Sequence, residues 1–435
     1  MKISDYINNP IESYIKAERY INNGSPSGFT INTTSVDTSP RQGKKTYELG
    51  LYVFQEEIII KNVGETINVI PGNVIPIHPD MVSHKVFSNL GLSQVGCLNV
   101  SPTASGRTVF DSKKKSFIKL AYLDYLGRIV RHMEANKLLS AIEVTNQLIK
   151  VAKGGKTNPA FSFLREDQGR IAYIPFKLFN KEFMDKIPLS CYNSQKYEYG
   201  VLFREFSPYP YINSKEHLMP FFSLFSNEYD PISNTLNTDH IPFVIQFFNS
   251  QTKPIERFVL EDIMYPLFNT YFDALLLGGI ELEAHAQNML IAFDDNYRIK
   301  RIVCRDLESA GRDIDLMCYL GIEYKTTIKD YKCNTRKPRE SGEKYDKYTI
   351  THSFMFDFKL GEYIVSPLLR LISQYIPTFD IEKVEDKIKE FNKQFINKLP
   401  KDFFPCGEWC SYKSVNYEKT GQKRVYEWHQ NPKYR

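Results

Sequence analysis

Residues 279–290, GIELEAHAQNML, form the most specific string of the chain. Within it, Glu283, His285 and Asn288 bring a carboxylate, an imidazole and an amide within six residues. An imidazole can contact phosphate, and amide and carboxylate oxygens are ligands that Mg²⁺ accepts. The string therefore predicts a nucleotide site. The sequence that follows, NYRIKRIVCRDLE (296–308), predicts extended backbone around that site.

Two further clusters carry groups that suit the same chemistry. Arg305-Asp306-Leu307-Glu308 follows an apolar run, and a carboxylate just past such a run commonly lies at a nucleotide site. The segment SPTASGRT (101–108) predicts a loop whose backbone can approach phosphates, with Arg107 adding a fork of donors. A loop of this composition is more often a plain turn, so it gains weight only from its order among the other clusters.

Two cations stand twelve residues apart, at Lys119 and Arg131. Twelve residues make a little over three helical turns, so both side chains would point the same way on a helix. The pattern from 116 to 150 predicts a helix, with apolar residues at three- and four-residue steps in SAIEVTNQLIKVA (140–152). Two cations that face one cleft would bind a polyanion, whereas the plainer alternative is a solvated helix face.

The order of His285, Asn288 and Asp306 is similar to that of small-molecule kinases. Those enzymes have an Asp two residues after the His as catalytic base, whereas this chain has Gln287. The missing base disfavours phosphorylation of a hydroxyl. It matters less for adenylation, because the attacking carboxylate is already ionised and needs only alignment and charge neutralisation.

The composition excludes several classes of protein. A net charge of +5 over 435 residues is too small for a nucleic-acid binder, which needs Lys and Arg clustered on one face. The seven cysteines form no metal-ligand framework, and an odd number without a signal peptide indicates reduced thiols. No segment reaches the ~18 apolar residues of a membrane span. We expect a cytoplasmic protein with no nucleic-acid or membrane partner.

Local patterns predict several elements besides the site. A short helix opens the chain, residues 22–46 form a long loop, and YELGLYVFQEEIIIK (47–61) forms strands. A helix over 261–277 ends at Gly278-Gly279, and an amphipathic helix begins near Ile381. Residues 331–349 are charged and predict an exposed loop.

The quoted motifs, in this order, resemble those of the NRPS-independent siderophore (NIS) synthetase family, the aerobactin-synthetase (IucA/IucC-like) enzymes. The Glu-Ala-His-x-Gln-Asn string is the most specific of the shared motifs, with Ala286 where the family has Gly. The likeness runs from about residue 74 into the C-terminal region. Its other segments are VIPIHPDMVSHKV (74–86), ASGRT (104–108), KLAYLDYLGRIVR (119–131), YGVLFREFSP (199–208) and RDLES (305–309).

The resemblance implies an α+β fold in which mixed and antiparallel sheets, flanked by helices, form a hand-like ligase of several subdomains. ATP and substrate would lie in a cleft between fingers and palm. Residues 1–70 would be a divergent or reduced N-terminal segment, since the family's thumb and its early His-Pro-x-His-Pro motif have no counterpart before residue 78. Residues 71–195 would be a fingers-like ATP-binding subdomain, and residues 196–435 a palm-like subdomain with C-terminal helices.

The resemblance also implies a two-step reaction with ATP and Mg²⁺ in siderophore or related natural-product biosynthesis. A carboxylate of citrate or a related acid would be adenylated, and an amine or hydroxyl would then displace AMP to give an amide or ester. His285, Lys119 and Arg131 would be catalytic, with Arg131 and Arg128 on the substrate carboxylate. The remaining implied roles are ATP binding by Ser105, Arg107, Thr108, Lys119, His285, Gln287 and Asp306, and metal binding by Asn288, Asp306 and Glu308.

Two rival functions remain open from the sequence. One is a non-catalytic partner subunit of a full-length synthetase, which the joint presence of Lys119, Arg131, His285, Asn288 and Asp306 disfavours. The other is a small-molecule kinase, which Gln287 disfavours. The identities of the acid and the nucleophile are not predicted, and the resemblance leaves a homodimer open.

Overall fold

The computed structural model describes residues 1–23, 35–54, 58–65, 69–88, 90–126, 129–179, 192–193, 196–324, 333–334, 344–418 and 421–435. Three predicted features lie wholly or partly outside these residues: Arg128, the loop expected at 22–46 and the charged loop expected at 331–349.

The strands are β1 (Tyr47–Phe54), β2 (Ile59–Gly64), β3 (Ile75–Ile77), β4 (Leu92–Pro102), β5 (Thr108–Asp111), β6 (Ser116–Leu120), β7 (Tyr122–Leu126), β8 (Ile129–Arg131), β9 (Phe161–Leu164), β10 (Gln168–Pro175), β11 (Tyr192–Asn193), β12 (Lys196–Glu205), β13 (Pro208–Tyr209), β14 (His217–Pro220), β15 (Ile280–Glu281), β16 (Met289–Phe293), β17 (Ile299–Cys304), β18 (Gly311–Asp313), β19 (Cys333–Asn334), β20 (Glu408–Glu418) and β21 (Gly421–Gln430).

The helices flank these strands and fill the C-terminal half. Two π-helical stretches, Val259–Met264 and Phe354–Val365, continue the helices that precede them. The α-helices are α1 (Ser4–Asn8), α2 (Pro10–Tyr20), α3 (Lys85–Ser88), α4 (Ala135–Lys153), α5 (Phe243–Asn249), α6 (Ile255–Phe258), α7 (Tyr265–Gly278), α8 (Ile314–Leu320), α9 (Lys347–Ser353), α10 (Ser366–Tyr375) and α11 (Ile381–Ile396). Among the described residues, no helix combines the length and the apolar character that a membrane span requires.

Nine of the described strands form one large sheet. Their order is β2–β10–β12–β6–β5–β4–β1–β3, with β11 beside β12, and neighbouring strands pair antiparallel. The central strands β6 and β12 are buried along nearly their whole length, so both faces of the sheet are covered there. Lys119 lies in the middle of β6 and is only 3% exposed. A buried ammonium in an otherwise apolar strand needs an anionic partner close by.

The helix expected from residue 116 is wrong up to residue 134. This segment forms β6, β7 and β8, and the helix begins at Ala135 as α4. Lys119 pairs with Thr108 of β5 and Leu202 of β12, so its backbone belongs to the large sheet. The spacing to Arg131 fits a helix, but aromatic and β-branched residues favour strands where sheet neighbours are present. The two cations therefore do not share a helix face.

A second, five-stranded sheet carries the other half of the candidate site. Its order is β13–β9–β17–β16–β14, in which β9 and β17 pair parallel and the other neighbours pair antiparallel. The strand β16 starts directly after Asn288, and β17 ends directly before Arg305. The extended structure expected around both motifs is confirmed, and the antiparallel pairing brings the two motifs to one edge of the sheet.

Helices α2 and α4 pack close to that edge. Tyr14 and Ala17 of α2 lie in the same apolar cluster as Phe110 and Phe117 of the large sheet. The helix α4 contacts β12, α7 and the short 3₁₀ turn at Leu307–Ser309.

The mixed sheets and flanking helices confirm the α+β class. The division at residues 70 and 195 stays a prediction.

The helix that precedes the GIELEAHAQNML string ends as the sequence predicts. Gly279 follows α7 in the left-handed conformation (φ 61°, ψ 25°), and its carbonyl accepts a hydrogen bond from the Asp313 amide at 2.8 Å. A Cβ at Gly279 would stand 2.2 Å from Cγ of Met317. This glycine is therefore required both for its backbone conformation and for the space that Met317 fills.

We predict that Gly279→Ala destabilises the protein more than Gly321→Ala does. Gly321 ends α8 in the same conformation (φ 68°), but a Cβ there meets nothing within 4 Å. Both changes carry the left-handed penalty of about 1 kcal/mol, and only the first adds overlap worth about 1–3 kcal/mol. Urea unfolding at neutral pH measures the difference in the free energy of unfolding, and equal losses would contradict the packing role of Gly279.

Candidate functional site

The candidate site is centred on the Lys119 ammonium. Its Nζ lies 2.9 Å from Oδ2 of Asp306 and 2.8 Å from Oε1 of Glu308. Lys119 belongs to the large sheet, whereas both carboxylates follow β17 of the five-stranded sheet. One buried cation therefore joins the two sheets through residues from separate sequence motifs.

Arg107, in the loop before β5, and Arg204, in β12, reach the same carboxylates. Arg107 donates from Nη2 to Oε1 of Glu308 at 3.2 Å and from Nη1 to the carbonyl of Arg131 at 3.3 Å. Arg204 of β12 pairs closely with Asp306 and donates from Nε to Oε1 of Glu166 at 2.5 Å. Residues 306–309, which carry Asp306 and Glu308, are called the acidic turn. Arg107, Lys119 and Arg204 form one continuous charge network with this turn.

The acidic turn has an unusual backbone that Glu166 supports. Asp306 has φ 66° and ψ 46°, the left-handed region, which costs a non-glycine residue roughly 1–2 kcal/mol. The buried carboxylate of Glu166 accepts hydrogen bonds from the amides of Asp306 at 2.7 Å and Leu307 at 3.0 Å. These bonds hold the turn so that the Asp306 side chain points toward Lys119 and Arg204.

The N-terminal helix supports the site from the other side. Arg305 donates from Nη1 to the hydroxyl of Tyr14 at 2.7 Å and pairs closely with Glu18 of α2. From Nε it donates to the carbonyl of Gln287 at 2.7 Å. One guanidinium therefore ties α2, the GIELEAHAQNML string and the acidic turn together. Glu18 also accepts the amide of Ala104 at 3.1 Å, which anchors the ASGRT loop to the same helix.

The carboxylates of the turn stay ionised. Burial would raise the pKa of Asp306, but Lys119 and Arg204 hold it well below its usual range. Burial likewise opposes ionisation of Glu308, yet Lys119 and Arg107 lower the pKa of Glu308 to about 2. At neutral pH the site therefore holds cations and anions in direct contact. A ligand that consists of an anion and a bound cation can replace these ion pairs, because its anion can bind Lys119 and Arg107 while its cation binds Asp306 and Glu308.

His285 lies in the same region as a neutral imidazole. Burial, followed by the charge of Lys359, lowers its pKa to about 4, although Glu283 and Asp306 act in the opposite direction. Its Nδ1 is buried and has no hydrogen-bond partner among the described residues. A neutral imidazole with an unused ring nitrogen is able to donate or accept one hydrogen bond to a ligand.

Asn288 connects the His285 string to the acidic turn. Its side-chain Nδ2 donates to the carbonyl of Glu283 at 3.1 Å and to Oγ of Ser309 at 3.3 Å. Ser309 in turn donates to the carbonyl of Asp306 at 2.7 Å. Because Nδ2 donates to Glu283 and Ser309, the amide oxygen of Asn288 is the side-chain atom that remains for a cation.

The surroundings of Arg131 place it in the same charge network. Burial and the neighbouring Arg107 lower the pKa of Arg131, while Glu308, Asp306 and Glu283 act to raise it. Arg131 is the last residue of β8, where it pairs with Tyr122 of β7, and it is partly exposed. A guanidinium so placed is suited to binding an anionic group that arrives from solvent. Its predicted neighbour Arg128 lies outside the described residues.

The ASGRT loop closes the β4–β5 hairpin as a compact turn. Gly106 has φ 72°, the Ser105 hydroxyl accepts the amide of Thr108 at 2.9 Å, and Thr103 Oγ1 donates to the Thr108 carbonyl at 2.7 Å. This turn fixes where Arg107 leaves the sheet. The hydroxyls of Ser105 and Thr108 lie next to Arg107, so the loop expected from the sequence occurs beside the charge network.

Sequence reasoning missed several residues that build the site. Arg204 was noted in the YGVLFREFSP segment without a role, and its position as a charged residue within a buried apolar strand was the available signal. Glu166 and Glu18 gave no local signal, because the site residues that they hold, Asp306 and Arg305, lie 140 and 287 residues away in the sequence. The Lys359–Glu283 ion pair, 3.2 Å between Nζ and Oε1, was likewise not predicted.

Comparison with solved structures identifies the fold. The petrobactin biosynthesis protein AsbB of Bacillus anthracis strain Sterne gives a TM-score of 0.64 at 14% identity, over 91% of this chain and 71% of that chain. The aerobactin synthetase IucA of a hypervirulent Klebsiella pneumoniae pathotype gives 0.62 at 11% identity, over 98% and 80%. The chain has the NIS synthetase fold. The expected fold is thereby confirmed, although no family model and no curated protein matches the sequence significantly.

One structure with the NIS synthetase fold holds nucleotide. The ATP-bound aerobactin synthetase IucA gives a TM-score of 0.55 at 11% identity, over 84% of this chain and 66% of that chain. The residues expected from the sequence to bind a metal, Asp306, Glu308 and Asn288, offer two carboxylates and an amide. No group of three His, Cys, Asp or Glu side chains able to hold a metal ion occurs in the part of the chain that the structure describes.

We predict that His285→Gln makes the protein less sensitive to acid. An unfolded histidine has a pKa near 6.5, whereas His285 in the folded state has a pKa of about 4. Between these values the unfolded chain binds more protons, so the stability gained by keeping His285 neutral is complete above pH 6.5 and is lost as pH falls toward 4.

Urea unfolding at pH 7 and pH 5 measures this effect. The wild-type protein should lose on the order of 1–2 kcal/mol more than the variant over this interval. His132→Gln is a parallel case, because burial lowers the pKa of His132 to about 4 as well. Identical pH dependence in the wild type and in His285→Gln would contradict the buried, neutral state of the imidazole.

Proposed function

We propose that this protein is an ATP-dependent ligase that adenylates a carboxylate and condenses it with an amine or a hydroxyl. The observation that carries the proposal is the Lys119 ammonium held between Asp306 and Glu308, with the His285 imidazole close enough to Asp306 for that charge to act on it. Ammonium, guanidinium, imidazole and paired carboxylates are the groups that a metal-bound polyphosphate requires. The NIS synthetase fold, found in an ATP-bound relative, supports the same assignment.

The triphosphate would bind where the cations of the large sheet meet the acidic turn. Lys119 and Arg107 would exchange their carboxylate partners for phosphate oxygens, and Ser105 and Thr108 would supply hydroxyls from the adjoining loop. His285 would donate a hydrogen bond at the α-phosphate. An anion beside this imidazole raises its pKa, so phosphate binding itself would favour the charged form. Gln287 and Asp306 complete the proposed nucleotide set.

The acidic turn fits a magnesium ion. Asp306 and Glu308 are ionised oxygen donors, and the side-chain amide of Asn288 is hydrogen-bonded to Ser309 of the same turn. A bound Mg²⁺ would neutralise phosphate charge in the transition state. Glu166 and Arg204 would keep Asp306 oriented while Lys119 turns to the phosphates. Asp306 and Glu308 would then be the residues that hold the metal, in place of their ion pairs with Lys119.

Arg131 would hold the acid to be activated. A carboxylate oxygen of that acid attacks the α-phosphorus, the bond to the bridging oxygen of the leaving group breaks, and pyrophosphate departs. The acid needs no base, since it is already ionised at neutral pH. The protein contributes alignment and charge stabilisation, which account for most of the catalysis of phosphate transfer.

The second step would form an amide or an ester. A neutral amine or a hydroxyl attacks the acyl carbon, the acyl–phosphate bond breaks, and AMP leaves with its electron pair while the nucleophile loses one proton. We propose a citrate-like polycarboxylate or a related acid as the first substrate, in siderophore or related natural-product biosynthesis. We also propose that the protein acts in the cytoplasm on small-molecule substrates. The proposal is compatible with a homodimer.

Product analysis over a panel of acids and amines tests the proposal. We expect AMP and pyrophosphate to appear only when MgATP and an accepted polycarboxylate are both present, and an amide or ester to form when an amine or alcohol is added. A kinase would instead give ADP, and a non-catalytic partner subunit would give neither product. Either result with the full panel would refute the ligase.

We predict that Arg131→Ala lowers kcat/KM for the acid about 10–100-fold, because a charged hydrogen-bond pair is worth ~1.5–3 kcal/mol. ATP affinity should stay within about threefold of the wild type, since the proposed triphosphate ligands are unchanged. Pyrophosphate release at varied acid, together with equilibrium binding of ATP, separates the two effects.

Arg257→Ala is the matched control for this experiment. Arg257 is an exposed arginine on α6 whose Nε lies 2.7 Å from Glu261, away from the site. This change should leave both quantities as in the wild type. If Arg131→Ala weakens ATP and acid equally, the assignment of Arg131 to the acid is incorrect.

A further inference from the structure

A fully buried charge cluster lies on the two segments that lead into the candidate site. His352 of α9 has no exposed surface, its Nδ1 contacts Oε1 of Glu281, and its Nε2 lies 3.1 Å from Oδ2 of Asp313. Glu281 and Asp313 are themselves completely buried. One imidazole therefore stands between two carboxylates in the protein interior, and none of the three residues has a role in the proposed reaction.

The ring of His352 is fixed in orientation by aromatic neighbours. Phe403 stacks on it with ring centroids 3.8 Å apart and planes 13° apart, and Tyr348 meets it edge-on at 4.3 Å and 87°. Packed aromatic contacts on two sides leave the imidazole little freedom to rotate. Its two nitrogens are consequently held toward Glu281 and Asp313.

The two carboxylates belong to the segments that carry the site. Glu281 ends β15, four residues before His285, and Asp313 ends β18, five residues after Glu308. The strands β15 and β18 pair with each other through the register Glu281↔Gly311. Asp313 also caps α8 by accepting the amide of Leu316 at 2.8 Å. A shift of either carboxylate would therefore move a segment that leads into the charge network.

We propose that His352 is a positioning residue that clamps the His285 segment to the acidic turn by bridging Glu281 and Asp313. This inference rests on the proposed function of the site, and it assigns to α9 a role in setting the geometry of that site. The same helix continues into the π-helical stretch that carries Lys359, the partner of Glu283. The clamp thus joins three elements that converge on His285.

The charge of the imidazole suits this role. Burial alone would lower the pKa of His352, but Glu281 and Asp313 together raise it to about 9. The cation thus offsets two buried anions that would otherwise repel each other. Removing it leaves buried charge without compensation, which the fold can relieve only by moving Glu281 or Asp313 or by binding a proton.

His352→Gln tests the clamp by removing the charge while keeping a polar side chain. His217→Gln is the matched control, because His217 is also buried and its Nε2 lies 2.6 Å from Oδ1 of Asp295, at the opposite end of β16 and β17 from the site. We expect kcat for pyrophosphate release at saturating ATP and acid to fall ~10–100-fold in His352→Gln and to stay within about twofold in His217→Gln.

A double variant tests the charge compensation. Glu281→Gln combined with His352→Gln removes one anion with the cation, so it should recover at least about tenfold of the kcat that the single His352 variant loses. The kcat is referred to the folded fraction, measured by urea unfolding, so that a change in overall stability alone does not alter it. Comparable kcat in His352→Gln and His217→Gln, or a double variant no better than the single one, would overturn the proposal.

Hydrogen exchange of the ligand-free protein tests the same proposal without any assay of activity. His352→Gln should speed amide exchange in 281–288 and 305–313 at least about tenfold, whereas His217→Gln should speed it only near 215–219 and 293–298. Unchanged exchange in 281–288 would refute the clamp even if the protein proves to be a ligase. If His352→Gln does not fold, Glu281→Gln alone serves in both measurements with the same expected and refuting results.

Discussion

The whole site depends on one buried ammonium. Lys119 comes from a strand covered on both faces, and a charge in that position is tolerable only because Asp306 and Glu308 lie within 3 Å. Removing ions from water costs several kcal/mol each, so such a pair gives little net stability. What it fixes is geometry. The large sheet and the five-stranded sheet have to meet where these charges meet, and this brings the sequence motifs into contact.

The surrounding residues make that geometry rigid at the expense of local strain. Asp306 adopts a left-handed backbone, and the two amide hydrogen bonds to Glu166 are what keep it there. Arg305 ties the same turn to α2 through Tyr14 and Glu18. Strained residues persist where the neighbouring structure over-determines them, and they occur often at functional sites. The buried acids Glu166 and Glu18 thus hold this turn in place.

The sequence predicted which charged residues meet in the candidate site better than it predicted the backbone that carries them. Residues such as His285 and Asp306 could be found because their types and order carry information over a short span. The helix proposed for 116–131 was wrong because a twelve-residue spacing fits two kinds of backbone, and only the neighbouring strands of the sheet decide between them. Glu166 could not be identified from the sequence, because the residue that it holds, Asp306, is 140 residues away. Local sequence patterns carry no information about such long-range contacts.

The pairing of Lys119 and Arg107 with carboxylates bears on how the proposed substrates would bind. A triphosphate that arrived alone and took both cations would leave Glu308 without these partners and Asp306 with Arg204 alone. A divalent cation arriving alone would meet the ammonium that occupies its ligands. Each ligand removes the obstacle to the other, which is positive coupling in the thermodynamic sense. On the proposed function, nucleotide and metal therefore enter this site as one complex, and the ion pairs of the ligand-free protein are the reason.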